Sequence, residues 1–222
     1  MKSLKMEINF EIINEHLPRR EREKAKHRQV ILNAALKTFA QKGFHAATLD
    51  DIADAAEFSK GAIYNYFSNK ENLLFEIMKQ SLEYIRLFLL ETLSGQQSFH
   101  DELIDLLKNT ALFTSNHAEL CDLFVSQHAQ RFKTLSDENR QILKKVHDEI
   151  HIFIENRIQD AIYKGELDKI PPQIVSDIIT GTLNSIVTFY CHYGTIDKIN
   201  NSIELFVTLL YNGIASRGPS TI

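Results

Sequence analysis

A chain of 222 residues with 44% apolar and 24% charged residues has the balance of a globular protein with a sizeable core, which excludes disorder as its default state. No run approaches the roughly 18 consecutive apolar residues of a membrane span, and Glu7, Glu11 and Glu15 interrupt the N-terminal stretch, unlike a secretory signal, so a cytoplasmic protein is expected. The net charge of −4 argues against a nucleic-acid binder only until it is resolved along the chain: residues 1–75 hold twelve Lys/Arg and ten Asp/Glu, for +2, and residues 76–222 hold thirteen and nineteen, for −6.

Eight glycines and four prolines punctuate the whole chain, and apolar residues recur at three and four, so the chain reads as helix nearly throughout. Residues 6–13 are the exception, because Met6, Ile8, Phe10 and Ile12 alternate with polar residues as in a strand. A lone strand has no partner to pair with, so residues 1–18 are expected to form an arm packed on the body, ending at Pro18. Just beyond, Arg19, Arg20, Arg22, Lys24, Lys26 and Arg28 face only Glu21 and Glu23, a run that fits either a phosphate-binding patch or a solvated helix start.

The first helix is predicted over about residues 20–42, with Ile31, Ala35 and Phe39 on one face. Gly43 suits its C-terminal stop, with Phe44 supplying an apolar contact. Thr48-Leu-Asp-Asp51 has the spacing of a capping box and opens a helix of about two turns, and Ser59 is a good N-cap for a third. Ser68-x-x-Glu71 repeats the capping-box spacing before a much longer fourth helix. Two short helices joined by a tight turn, with Ala53, Ala56, Gly61 and Ala62 as small residues for the crossing, make a helix-turn-helix, whose second helix enters a major groove. Helix pairs of this kind also occur in proteins that touch no DNA, so geometry alone leaves both readings open.

The residues go further than the geometry. The stretch Thr48 to Leu74, TLDDIADAAEFSKGAIYNYFSNKENLL, resembles the DNA-binding signature of the tetracycline-repressor (TetR) family, and Ile31 to Phe44 resembles that family's first helix. The resemblance implies an all-α protein of about nine helices. A three-helix DNA-binding domain at residues 19–68 would be followed by a larger ligand-binding and dimerisation domain at residues 69–222. It implies a ligand-responsive regulator, expected to be a repressor released from a palindromic operator by a small hydrophobic molecule. It also assigns a DNA-binding set of Arg28, Thr48, Ser59, Lys60, Gly61, Ala62, Tyr64, Asn65, Tyr66 and Lys70. Chemistry supports these roles: Thr48 and Ser59 sit at helix N-termini that attract anions, Gly61 permits close backbone approach, and Tyr64, Tyr66 and Lys70 can donate to phosphates. Tyr66 stands where the family often has His, which keeps a donor. Lys60 is the candidate to read a guanine.

Further along, Gly165 can end a helix that begins near Ser136, and Pro171-Pro172 can start the next. Residues 173–193 are apolar nearly all round, so that helix is expected to be covered from more than one side, in part by a second subunit. The expected dimer interface is Ile178, Leu183, Ile186 and Phe189 from this helix with Ile203, Phe206, Leu210 and Ile214 from the last, against the alternative of an ordinary core. Phe88, Phe113, Phe124 and Phe153, with His117, Cys121 and His128 as polar fixtures, either line an effector cavity or belong to the core. His147 and His151 share a helix face, but Asp148 replaces the glutamate of H-E-x-x-H and no third ligand is apparent, so no metal is expected. Cys121 and Cys191 lack CxxC spacing and are expected to be reduced. No nucleophile or phosphate-cradling loop is present, so neither an enzyme nor a cofactor is expected. A carrier with a vestigial helix-turn-helix and a sequence-indifferent DNA-compacting protein are the competing readings.

Overall fold

The computed structural model describes residues 18–129, 132–194 and 197–214. Among these, the chain is helical with no strand: α1 (Arg19–Lys42), α2 (Leu49–Ala56), α3 (Lys60–Tyr64), α4 (Lys70–Thr92), α5 (Phe99–Asn116), α6 (Ala118–Ala129), α7 (Asp137–Tyr163), α8 (Pro172–Tyr193) and α9 (Asp197–Ile214). The expected arm at residues 1–18 lies, apart from Pro18, outside the described residues. The chain divides into two units, one of Met1–Ser81 and Asp122–Arg140, the other of Leu82–Cys121 and Gln141–Ile222. Helix α4 therefore starts in the first and ends in the second.

In the first unit, α1 buries Ile31, Leu32, Ala35 and Phe39 against α2, which offers Ile52, Ala53 and Ala56. Gly43 closes α1 with φ +76°, its N–H reaching the Phe39 carbonyl, and the Phe39 and Phe44 rings meet at 5.3 Å, the contact foreseen for Phe44. A three-residue turn, Glu57–Ser59, links α2 to α3, and Glu57 takes the left-handed conformation at φ 58°. The crossing rests on Ala53, Ala56 and the fully buried Ile63. Gly61, expected at that crossing, is exposed, and a Cβ built on it would meet no atom within 4 Å, because it lies on the outer side of the short helix.

The capping box at Ser68 and Glu71 does not form. Asn69 instead accepts from the Asn72 N–H at 2.8 Å. Glu71 turns away to accept from the Ser136 N–H at 2.8 Å and from the Asn139 amide, which anchors the start of α7.

In the second unit, α5 packs on both α8 and α9. Its core holds Leu103, Leu106, Leu107 and Ala111 from α5, Ile154, Ile158 and Ala161 from α7, and Val175, Ile179 and Val207 from the last two helices. A buried ion pair ties this core together: Arg157 Nε donates to Glu102 at 2.7 Å, with side chains 5% and 0% exposed. The other Glu102 oxygen accepts from the Gly95 N–H at 2.6 Å, fixing the loop before α5. Glu166 caps α5 by accepting from the Phe99 N–H, and Tyr211 donates to the Glu166 carbonyl at 3.1 Å. Gly165 and Pro172 end and start helices where the sequence placed them. Helix α8 is long and apolar enough to cross a bilayer by length and composition, and it seats on α5, with Thr180, Thr182 and Ser185 donating to carbonyls of its own backbone.

Candidate nucleic-acid interface

The interface is built on two capped helix starts. Thr48 accepts from the Asp51 N–H at 3.1 Å while the Asp51 carboxylate accepts from the Thr48 N–H at 2.9 Å, so the predicted capping box is complete. Lys42 pairs with the same carboxylate at 2.7 Å, and chiefly this bond, then those to Thr48, hold the Asp51 carboxyl down at about 2. Ser59 accepts from the Ala62 N–H at 3.2 Å and starts α3. Helix α3 is anchored from below by Ile63 and, just beyond it, Phe67, 0% and 1% exposed. Those anchors leave Lys60, Gly61, Tyr64 and Asn65 at the surface, with Tyr64 51% exposed and Ala62 half-buried.

The remaining residues of the expected set are partly committed to the protein. Tyr66 is half-buried, its hydroxyl 3.0 Å from His27 Nδ1, with Phe58 packed edge-on against both rings. Lys70 donates to the Ala47 and His45 carbonyls at 2.8 and 3.1 Å and lies over the Phe44 ring. It therefore closes the loop between α1 and α2, and one of its three ammonium protons is left over. Arg28 is turned inward, pairing with Glu76 at 2.8 Å, donating to the Tyr66 carbonyl and covering the Phe67 ring. Its guanidinium braces the segment after α3 through the Tyr66 carbonyl.

Lys60 is the basic residue of α3, and it meets Asp50 of α2 at 2.8 Å, a bond that raises the Lys60 pKa. Sequence reasoning missed both Asp50 and His27. The signal for Asp50 lay in the helix-turn-helix itself, since the first turns of its two helices come together. His27 had no signal, because it meets Tyr66 across 39 positions.

Of the expected effector residues, the second unit brings Phe113 and His117 together, rings 4.6 Å apart. Tyr84, not foreseen, stacks on Phe113 at 5.0 Å. Burial first, and Glu91 second, push the Tyr84 phenol up to about 12, so it stays neutral. Phe88 and Phe153 are half-buried and Cys121 is buried. Phe124 belongs to the first unit, where it meets Phe132 at 6.2 Å, and the His128 side chain lies outside the described residues. The His147 and His151 rings are 4.5 Å apart, and no group of three or more metal-ligating side chains occurs among the described residues.

Of the expected interface residues, Ile186 and Ile203 are buried in the chain's own core, Leu183, Phe206 and Leu210 are half-buried, and Ile178 and Phe189 are exposed. The Ile214 side chain lies outside the described residues. The outward apolar stripe is Ile174, Ile178, Phe189 and Tyr193 on α8 with Leu205 and Leu209 on α9.

Residues 31–77 match the family of bacterial regulatory proteins, tetR family. The HTH-type transcriptional regulator YhgD of Bacillus subtilis is 28% identical over 152 residues, 68% of this chain and 78% of that one. The transcriptional regulator FadR from Bacillus subtilis, solved with stearoyl-CoA, superposes with a TM-score of 0.71 at 20% identity, over 84% of this chain and 98% of that one. AibR, solved with isovaleryl coenzyme A and operator DNA, gives 0.69 at 20% identity, over 83% and 98%. The chain thus carries the helix-turn-helix segment of the bacterial regulatory proteins, tetR family, with its second helix anchored and exposed, on an all-helical fold shared with FadR and AibR over most of its length.

Proposed function

We propose that the chain is a homodimeric, cytoplasmic repressor that leaves a palindromic operator when a small hydrophobic effector binds. The observation that carries the reading is the α3 surface: Lys60, Gly61, Tyr64 and Asn65 stand out on a helix whose other side is locked by Ile63. In this reading residues 19–68 form the DNA-binding domain and residues 69–222 sense and dimerise. Tyr64 and the leftover proton of Lys70 meet phosphates, while the α3 face meets bases. One such helix reads only a few base pairs, so two copies on a two-fold site are needed for useful discrimination. The exposed stripes of α8 and α9 suit a four-helix interface between those copies.

The effector rests against Phe88, Phe113, His117, Cys121 and Phe153, with the neutral Tyr84 phenol as a hydrogen-bond donor. Acyl-CoA thioesters, held by two relatives of the same fold, are the first compounds to try. The chain acts by binding, with no turnover. Helix α4 runs unbroken from Lys70 to Thr92, so a change in the packing of its second half reaches the loop that Lys70 ties. Effector and operator then favour different states, with a coupling of about 1–3 kcal/mol, or roughly a 5- to 150-fold loss of operator affinity. The test is operator affinity, by fluorescence anisotropy on the chain's own upstream region, with and without saturating acyl-CoA. Weakening within that range supports the scheme; unchanged affinity with every ligand shown to bind rejects it.

A further inference from the structure

We propose that Asp50 is a specificity-determining residue, holding the Lys60 ammonium so that it reads a guanine edge in the groove and does not clamp on passing phosphates. The inference rests on the DNA-binding reading above and deepens it.

Charge makes the case. Residues 48–66, the segment that must approach a polyanion, carry Asp50, Asp51, Asp54 and Glu57 against one cation, Lys60. Asp51 is matched from outside the segment by Lys42 at 2.7 Å. Asp50 is matched from within, by Lys60 at 2.8 Å. Asp50 has no part in the capping box, which uses Thr48 and Asp51, so the fold of α2 does not require a carboxylate there. Both partners are more than half exposed, 54% for Lys60 and 60% for Asp50, so solvent screening keeps the pair exchangeable.

Two acceptors compete for Lys60 on DNA. A phosphate is a second anion competing with the carboxylate for the same ammonium, and sharing Lys60 between them brings two negative charges together. A guanine edge presents two neutral acceptors, O6 and N7. An ammonium has three donors, so Lys60 can keep Asp50 on one and give the other two to guanine. The ion pair docks intact on the neutral base and is weakened by the second anion on the backbone. Removing the carboxylate removes that distinction, and Lys60 becomes an ordinary phosphate contact, bought at no structural cost.

The experiment uses the full chain with two duplexes of equal length and composition: one enriched by the chain from a random-sequence library, the other its shuffled counterpart. Affinities are measured across a salt series for the wild type, Asp50→Asn, Lys60→Ala and the double variant, with far-UV spectra and unfolding midpoints confirming the fold of each. Asp50→Asn tightens binding to the shuffled duplex by about two- to fivefold per subunit, the range of exposed ion pairs, and steepens the salt slope by about one unit per subunit. Replacing the enriched guanine costs the wild type about 5- to 150-fold, and costs Asp50→Asn less. In the Lys60→Ala background, Asp50→Asn changes shuffled-duplex binding little. An equal gain in that background means general repulsion by the carboxylate and overturns the proposal, as does loss of a single base preference with shuffled binding unchanged, which would make Asp50 itself the reader. A wild type that enriches no duplex overturns the DNA-binding reading first.

Discussion

Thr48 and Ser68 carry the same local pattern, a hydroxyl followed three residues later by a carboxylate, and only one of them caps a helix as that pattern predicts. At Thr48 nothing competes, and Lys42 reinforces the box from α1. At Ser68 two things compete: Asn69 caps from one residue nearer, and Glu71 is drawn to Ser136, 65 positions away. Local spacing reveals a capping box; it does not reveal a distant partner for one of its members. The Asp51 bonds give a pH test. Its folded pKa of about 2 lies below the ordinary 3.8, so its contribution to stability is complete above pH 3.8 and is lost as pH falls towards 2. Denaturant midpoints at pH 5 and pH 2.5 show a drop that is smaller in Asp51→Asn than in the wild type. Lys70 gives a second test, because its ammonium satisfies two carbonyls of the α1–α2 loop. Lys70→Met costs about 1 kcal/mol of stability, read as a shifted urea midpoint, besides weakening DNA binding. A variant with unchanged stability would return Lys70 to a purely phosphate-facing role.

At the scale of elements, helix positions were readable because 3.6-residue periodicity, Gly43, Gly165 and the Pro171-Pro172 pair each act locally. The exposed side of the last two helices was less so. Residues 173–193 are apolar nearly all round, and the seating of α5 on α8 and α9 decides that Ile186 and Ile203 turn in while Ile174, Tyr193, Leu205 and Leu209 turn out. The buried pair between α5 and α7 was equally invisible, since Glu102 and Arg157 lie 55 positions apart. Losing one member strands the other in the core. Arg157→Met is therefore expected to cost about 3–5 kcal/mol, because Glu102 would stay buried with its ion-pair partner gone and the Gly95 N–H as its remaining contact. Thermal unfolding measures it, and a change under 1 kcal/mol would mean the pair is dispensable.

For the whole molecule, a regulator of a two-fold operator needs two chains. In the proposed reading, the exposed apolar residues of α8 and α9 join them. Leu205→Asp with Leu209→Asp should halve the mass found by sedimentation velocity and weaken operator binding more than tenfold, while helical content holds. A double variant of unchanged mass would move the interface elsewhere.

The recognition helix bears the heaviest demand, and Tyr64 tests it with one atom. Anisotropy titrations of the enriched duplex against wild type and Tyr64→Phe, repeated from 50 to about 200 mM salt, compare chains that differ by a hydroxyl on an exposed ring. A phosphate contact at Tyr64 predicts steep loss of wild-type affinity with salt, and a Tyr64→Phe defect of similar size on enriched and shuffled duplexes. Salt-independent binding, or Tyr64→Phe binding both duplexes as tightly as the wild type, would contradict it.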